Sequence, residues 1–404
     1  MKKKKRCLLI TNHFFPETFR CNDIAFELVK RGYDVTVMTA IPDYPQGKFH
    51  EGYSLFKKRC EIINGVKVIR IPHIPRGNGN KVRMIIHYAS VMFFFFFYAL
   101  YRALFDKFDS IFIHNTSPAF ICLPAILIKK IQRIPIDHWI LDMWPESLTA
   151  GGINSKKVYS IVEKMMKMIY RNSDIIHISS LGFRKLLVEK GVPDEKIEYL
   201  PNFCEETEQG NIDITIPELP EGFKIMFAGN LGEAQNLENV LTVAKKLKER
   251  TDIHWIFVGD GRKKAWIEDF VEKNNLKNTV HLLGRWPIET MPAFFKKADV
   301  MLVSLADKTA FNIVLPAKVQ AYMINAKPIV AMLNGEGQEV IAKANCGWSA
   351  NSDDIDGMIK IVEDITKMPK EERIALGKNG YKYYLENFKL DIFMNKVENA
   401  LERM

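Results

Sequence analysis

Short apolar runs recur along this 404-residue chain, each followed by a longer amphipathic stretch. That rhythm is the strongest constraint on its fold. A run too short for a helix, followed by a helix-length segment, is the βαβ signature of a parallel sheet covered by helices. In the first half, strands are predicted at Cys7–Ile10, Asp34–Thr39, Val66–Ile71, Ser110–His114, Ile136–Leu141, Ile175–Ile178 and Ile197–Tyr199. Helical patterns lie between them, as at Asp23–Arg31 and Val158–Tyr170. Residues 203–222 are acidic and rich in turn formers and read as a linker. A second series then begins: strands at Lys224–Ala228, Ile253–Val258, Val280–Leu283, Val300–Ser304 and Pro328–Met332, with helices from about Asn236 and after Gly261. The expected fold is α/β, with two Rossmann-like parallel-sheet domains. Residues 1–204 form the first and 205–384 the second, and the helical stretch 385–404 folds back onto one or the other, the first domain being our assignment. No internal sequence repeat is apparent.

Composition is that of an ordinary globular protein, which excludes collagen-like and low-complexity readings. Six cysteines, at 7, 21, 60, 122, 204 and 346, form no CxxC and no Cys/His cluster. A disulfide framework and a structural zinc site are not expected, and a reducing compartment fits. The start MKKKKRCLLITNHFFPE mimics a signal peptide, but its apolar stretch is only Cys7–Ile10 and reads better as a buried strand. The net charge of +9 is uneven. Residues 1–200 hold 31 Lys+Arg against 18 Asp+Glu, or +13, which leaves −4 for residues 201–404. One domain therefore faces either an anionic partner or simply water. Nucleic acid is not the expected partner, since no recognised module is present.

Residues 84–101, MIIHYASVMFFFFFYALY, carry no formal charge and are flanked by Lys81, Arg83, Arg102 and Lys107. A buried core helix, a helix lying in one leaflet and a membrane span all fit that composition. Basic flanks and five consecutive phenylalanines favour the interfacial reading.

Three strand ends in the second half run into glycine turns. Gly229 and Gly232 precede a helix near Asn236; Gly259 and Gly261 are followed by Arg262; Gly284 is followed by Arg285. Glycines let backbone amides approach a ligand closely, and open α/β sheets bind ligands outside their strand C-termini. Together they predict a nucleotide or sugar-phosphate pocket, although any one such turn is often empty. Pro316 is expected to open a helix with Lys318 in its first turn, where a cation opposes the macrodipole unless an anion lies nearby. In the first half His114 falls at a strand end, and Asp142, Trp144 and Glu146 follow another. An acid beside an aromatic suits sugar binding, and Asp142 equally suits a helix cap.

These residues, in this order, resemble the retaining glycosyltransferases of family 4, which have the GT-B fold. Within them the chain resembles the bacterial O-antigen and capsule branch that includes L-fucosamine transferases. The resemblance rests on FFPE (14–17), PDYPQGK (42–48), GVKVIRIP (65–72), DMWPES (142–147), YLPNF (199–203), GNLGEAQNL (229–237), VGDG (258–261), GRWP (284–287) and PAKVQAYM followed by KPIVA and NGEG (316–337). It implies two domains facing a central cleft. The C-terminal domain would bind a UDP-sugar through Gly229, Asn230, Gly232, Asn236, Gly259, Gly261, Arg262, Arg285, Pro316 and Glu336. The N-terminal domain would bind the acceptor, on the side of Glu17, Arg20, Asp142, Trp144 and Glu146. His114 matches a histidine near the transferred sugar, and Lys318 a basic residue near the donor diphosphate. No metal and no other cofactor are implied; the acidic string DDID (353–356) reads as a helix cap. The chain departs from the family at several points. A pair of glutamates eight positions apart aligns with Ile313 and Ala321, with Asn312 and Gln320 as shifted polar substitutes. The basic donor-loop pair is replaced by Asn230 and Asn236, and the early loop ETFRCND lacks glycine.

The resemblance implies retaining transfer of a sugar, an N-acetylated amino sugar in this branch, to a polyprenyl-diphosphate-linked glycan. It also implies a cytoplasmic protein peripheral to the inner membrane. Lys318, Arg262 and the amides at Gly229–Gly232 would stabilise the leaving diphosphate, and domain closure would exclude water. A catalytically inactive sugar- or membrane-binding relative is the alternative raised by the missing glutamates. A sugar-nucleotide epimerase would need a GxGxxG after the first strand, where TNHFFPET stands instead.

Overall fold

In a computed structural model, residues 4–77, 80–150, 155–204 and 215–404 are described; residues 205–214 of the predicted linker lie outside them. The chain divides into two compact units: 1–179, 183–200 and 394–404 in one, 180–182 and 201–393 in the other.

Unit 1 is an eight-stranded sheet in the order β3-β4-β2-β1-β5-β6-β7-β8. Its strands are β1 (Arg6–Thr11), β2 (Asp34–Ala40), β3 (Cys60–Ile63), β4 (Val66–Ile71), β5 (Ser110–Asn115), β6 (Ile136–Ile140), β7 (Ile175–Ile178) and β8 (Ile197–Tyr199). The helices are α1 (Arg20–Lys30), α2 (Lys81–Phe105), α3 (Cys122–Gln132), α4 (Glu146–Ala150), α5 (Lys156–Asn172) and α6 (Gly182–Glu189). Strand β5 is buried along its whole length, as a parallel strand covered on both faces must be. The one antiparallel pair is β3 with β4, joined by Asn64-Gly65, both at positive φ. The strand list drawn from the sequence omitted β3. Its side chains alternate exposed and half-buried, so it lacks the apolar run of a central strand. The Asn-Gly turn was the signal that marks it.

Unit 2 is a six-stranded, all-parallel sheet in the order β11-β10-β9-β12-β13-β14. The strands are β9 (Phe223–Ala228), β10 (Ile253–Val258), β11 (Val280–Gly284), β12 (Val300–Ser304), β13 (Ile329–Met332) and β14 (Gly347–Ala350). Short edge strand β14 was also omitted from the sequence list, for the same reason: only Ala350 in it is buried. Helices α7 (Leu237–Lys246), α8 (Lys264–Lys273), α9 (Met291–Lys297), α10 (Thr309–Asn312), α11 (Ala317–Ile324), α12 (Glu336–Lys343), α13 (Ile355–Lys367) and α14 (Lys370–Asn387) cover both faces. Two apolar clusters result. One is centred on Trp255, Phe257 and Leu241, the other on Tyr322, Met301 and Phe294. Within the DDID string, Asp354 caps α13 by accepting the Gly357 N–H at 2.8 Å.

The last helix, α15 (Leu390–Arg403), belongs to unit 1 from Met394 onward. There Glu398 pairs with Arg31 at 2.7 Å, Arg403 with Glu198 at 2.8 Å, and Lys396 donates to Tyr199 O at 3.1 Å.

The aromatic segment 84–101 lies wholly within α2. His87, Val91, Phe95, Ala99 and Ala103, four residues apart, form its buried stripe. Val82, Ile85, Phe93, Phe96, Phe97, Tyr101, Leu104 and Phe105 are exposed. By length and composition α2 is long and apolar enough to cross a membrane.

Candidate active site

The glycine turns of unit 2 meet because nothing larger fits. A Cβ built on Gly259 would stand 1.8 Å from the Gly229 carbonyl oxygen, and one on Gly261 2.4 Å from Leu231 O. Both Gly229 (φ 140°) and Gly259 (φ 151°) also occupy backbone space that L side chains avoid. The turns are tied together by Leu231 N–H to Asp260 O at 2.9 Å and Gly259 N–H to Gly284 O at 2.8 Å. They enclose one side of an open cavity of about 1270 Å³, lined by Gly229, Asn230, Gly259, Gly261, Arg262, Arg285 and Trp286 among others. Arg262 and Arg285 are exposed there, and neither takes part in an ion pair among the described residues. Their neighbour Lys263 is spent on Glu233 and Glu238.

Lys318 sits in the first turn of α11, behind Pro316. Its stem packs on the Gly229 turn, since a Cβ there would be 2.8 Å from Lys318 Cε. The ammonium donates to Gln235 Oε1 at 2.5 Å and lies 4.6 Å from the Phe227 ring centroid. No carboxylate pairs with it among the described residues, and burial pushes its pKa down to about 8. The sheet order reverses between β9 and β12, and Ser304, at the end of β12, bonds Gln235 O at 2.5 Å. Lys318 is thus held at the topological switch point where such sheets take ligands. A half-desolvated cation beside the Gly229 turn, without a carboxylate partner among the described residues, is chemistry suited to an anion.

Other expected donor residues sit as follows. Asn230 is exposed on the cavity, and Gly232 opens the turn before α7. Asn236 adopts left-handed backbone and donates to Ser352 O at 2.5 Å, so its side chain is committed to the loop after β14. Asn312 donates to Asp307 Oδ1 at 2.7 Å, and buried Gln320 to Asn202 O at 2.5 Å. Both amide nitrogens thus serve neighbouring loops. Glu336 opens α12, is 4% exposed, and accepts from Ser180 Oγ and, at 3.0 Å, from Gly182 N–H. Its Oε1 has no hydrogen-bond partner among the described residues.

In unit 1 the order reverses between β1 and β5, where Thr11 pairs with His114. His114 is buried, its Nδ1 is 3.0 Å from Thr11 Oγ1, and its ring lies 5.4 Å from that of Trp139. Burial, with help from the charges of His13 and Arg20, pushes its pKa down to about 3, so it is a neutral imidazole. Asp142 accepts from Ser117 N–H at 3.2 Å and Ser117 Oγ at 2.8 Å, and Trp144 Nε1–H donates to the same hydroxyl at 3.2 Å. Asp142 and Trp144 therefore meet on one residue. Glu146 points elsewhere, to Lys190 at 2.6 Å. Glu17 is buried under the loop after β2: it accepts the Asp43 and Tyr44 N–H groups at 2.9 and 2.7 Å and contacts His13 Nδ1 at 2.8 Å. It shapes that loop rather than presenting a carboxylate to solvent.

Reading the sequence missed a buried group, Asp43, His73 and His87, whose members come from three separate segments. Burial pushes the Asp43 carboxyl up, but contact with His73 and the charge of Arg76 outweigh this and hold it at about 2. Burial lowers the His87 pKa.

Comparison with known proteins agrees with this layout. Residues 18–202 match the family model "Glycosyl transferase 4-like domain" and residues 212–383 match "Glycosyl transferases group 1". The chain is 28% identical over 308 residues to WcaI of Escherichia coli (strain K12), named as a colanic acid biosynthesis glycosyl transferase, covering 72% of this chain and 73% of that one. It is 23% identical over 310 residues to WbjE of Pseudomonas aeruginosa, named as a glycosyltransferase, covering 73% and 75%. Among solved structures, the sucrose-phosphate synthase of Thermosynechococcus elongatus superposes with a TM-score of 0.70 at 13% identity, over 99% of both chains. HepE of Anabaena in complex with UDP gives 0.66 at 12% identity, over 99% of this chain and 100% of that one. The two Rossmann-like sheets are thus those of GT-B proteins, and the chain belongs to the group 1 glycosyltransferases.

Proposed function

We propose that this chain moves a sugar, an N-acetylated amino sugar in our reading, from a UDP-sugar to a polyprenyl-diphosphate-linked glycan, with retention, in bacterial surface polysaccharide biosynthesis. The observation that carries the donor side is the unit 2 cavity, with unpaired Arg262 and Arg285 on its lining and Lys318 packed on the Gly229 turn. HepE, whose fold this chain shares, is solved with UDP, and WcaI is named for colanic acid biosynthesis, which supports the donor and pathway class. The reaction breaks the bond between the sugar's anomeric carbon and the diphosphate oxygen, and the electron pair leaves with UDP. The acceptor hydroxyl oxygen bonds the same carbon from the same face, and its proton passes to the leaving phosphate. Arg262, Arg285, Lys318 and the turn amides balance the departing charge, so no metal is required at the donor. His114, neutral and held by Thr11, orients the sugar through its other ring nitrogen.

In this reading the enzyme works at the cytoplasmic face of the inner membrane, where it meets its lipid-linked acceptor. The exposed phenylalanines of α2 and the basic first half support peripheral contact with anionic lipid. The test is incubation of the full chain with labelled UDP-sugars and a membrane lipid extract, followed by NMR of the anomeric centre in the product. Label in the lipid fraction with the donor's configuration supports the proposal. UDP binding without lipid labelling identifies an inactive relative, and an inverted product rules out the same-face mechanism.

A further inference from the structure

We propose that unit 1 carries a zinc site made by Asp43, His73 and His87, separate from the sugar-donor cavity. These residues lie on the loop after β2, the segment after β4, and the buried stripe of α2. All three are buried, at 3%, 2% and 8% exposure, and one ligand atom from each lies within 4.8 Å of the others. Two imidazoles and a carboxylate form a donor set suited to a divalent transition metal.

Three further observations favour an ion over a plain polar cluster. Among the described residues neither ring nitrogen of His73 has a hydrogen-bond partner, and its closest approach to Asp43 Oδ2 is 3.5 Å. A buried imidazole left so is costly unless something unseen occupies it. His87 Nδ1 lies 2.8 Å from Ile74 O. A carbonyl can only accept, so Nδ1 carries the proton and Nε2 keeps a lone pair, the tautomer a metal-binding histidine adopts when its other nitrogen is anchored to the backbone. The carboxylate of Asp43 is also oriented from behind, by Arg76 N–H at 3.3 Å and Arg76 Nη2 at 3.4 Å.

The donor set favours zinc among metals. Beside Asp43 and His87 lies a cavity of about 40 Å³, also lined by Asn12, His13 and Ser117. That is room for water beside the cluster. Two imidazoles, a carboxylate and one water would complete the four-coordinate geometry of zinc. Tetrahedral ligands about 2.0–2.1 Å from zinc stand about 3.4 Å apart. The Asp43–His73 separation of 3.5 Å already matches. The bound ion would tie three segments of unit 1 together.

The test uses the full chain, stripped with chelator, dialysed and titrated with Zn²⁺, with metal content read by mass spectrometry and stability by thermal unfolding. One equivalent bound, with a raised Tm, is expected; His87→Gln and His73→Gln, checked for folding by circular dichroism, should each weaken binding at least tenfold. Co²⁺ in place of zinc should give the intense visible bands of a tetrahedral site, lost in either variant. If the folded wild-type chain takes up no zinc, or binds it equally well in both variants, the proposal is overturned.

Discussion

Lys318 offers a prediction that separates its charge from that of the two arginines. Burial leaves its pKa at about 8, so an appreciable fraction is neutral just above physiological pH. A diphosphate bound on the Gly229 turn restores the charged form and raises the pKa of the complex. The complex then holds its proton more tightly than the free protein, and affinity falls as pH rises through the free pKa. Arginine does not titrate in this range, so Arg262 and Arg285 contribute no slope. For a free pKa of about 8 and a bound value near the ordinary 10.4, UDP binding should weaken by about tenfold between pH 7 and pH 9, or about 1.4 kcal/mol. Isothermal titration of UDP across that range measures it directly. Lys318→Gln, which mimics the neutral form, should bind more weakly at pH 7 by up to about 200-fold and show no slope from pH 7 to pH 9. Lys318→Ala should lower sugar transfer at least tenfold, about 1.4 kcal/mol. A flat wild-type profile, or the same slope in Lys318→Gln, would refute the reasoning.

Other consequences follow from single contacts. Gly259→Ala places a methyl 1.8 Å from a backbone oxygen at a φ of 151°, and should lower stability by about 2 kcal/mol or more in urea unfolding; an unchanged midpoint would contradict the packing described. Burial opposes the charge on His177, but the Asp137 carboxylate at 2.7 Å, with Glu198 at 3.5 Å, outweighs it and raises the pKa to about 9. The stabilisation is therefore complete below pH 6.5 and lost as pH rises through about 9, by up to about 3 kcal/mol; unfolding curves of His177→Gln against wild type should converge across that window, and parallel curves would exclude the network. Replacing Phe93, Phe96 and Phe97 with serine should lower binding of the folded variant to anionic vesicles at least tenfold, because the exposed half of each ring offers about 1 kcal/mol of burial; the buried halves are lost too, so a drop in stability of a similar size per ring is expected, with folding checked by circular dichroism. Equal flotation of the variant would remove α2 from membrane contact.

The fold was legible wherever local and tertiary preferences agree. The predicted Cys7–Ile10 lies within Arg6–Thr11, and Lys224–Ala228 within Phe223–Ala228, because central parallel strands are apolar throughout. The edges were less legible. Strands β3 and β14 bury too little to leave an apolar run, and only the Asn64-Gly65 turn announced the first. At the donor cavity, the glycines were readable as punctuation and the arginines as their neighbours. The commitments of Asn236 to Ser352 and Gln320 to Asn202 were not, since each bond spans more than a hundred residues. The same holds for Asp43, His73 and His87: the spacing of 43, 73 and 87 fits no motif, and only the β2–β4 pairing and the pitch of α2 bring them together.

The central claim is that unit 2 grips a uridine diphosphate through the glycine turns and their flanking cations. Its most direct test is the thermal unfolding of the full chain with UDP, GDP and dTDP, each compared with the Arg262→Ala/Arg285→Ala double variant, because a ligand selective for the folded state raises its stability. The expected result is a Tm increase with UDP that exceeds the other two and largely disappears in the double variant. No shift with UDP, or an equal shift in the variant, would contradict it.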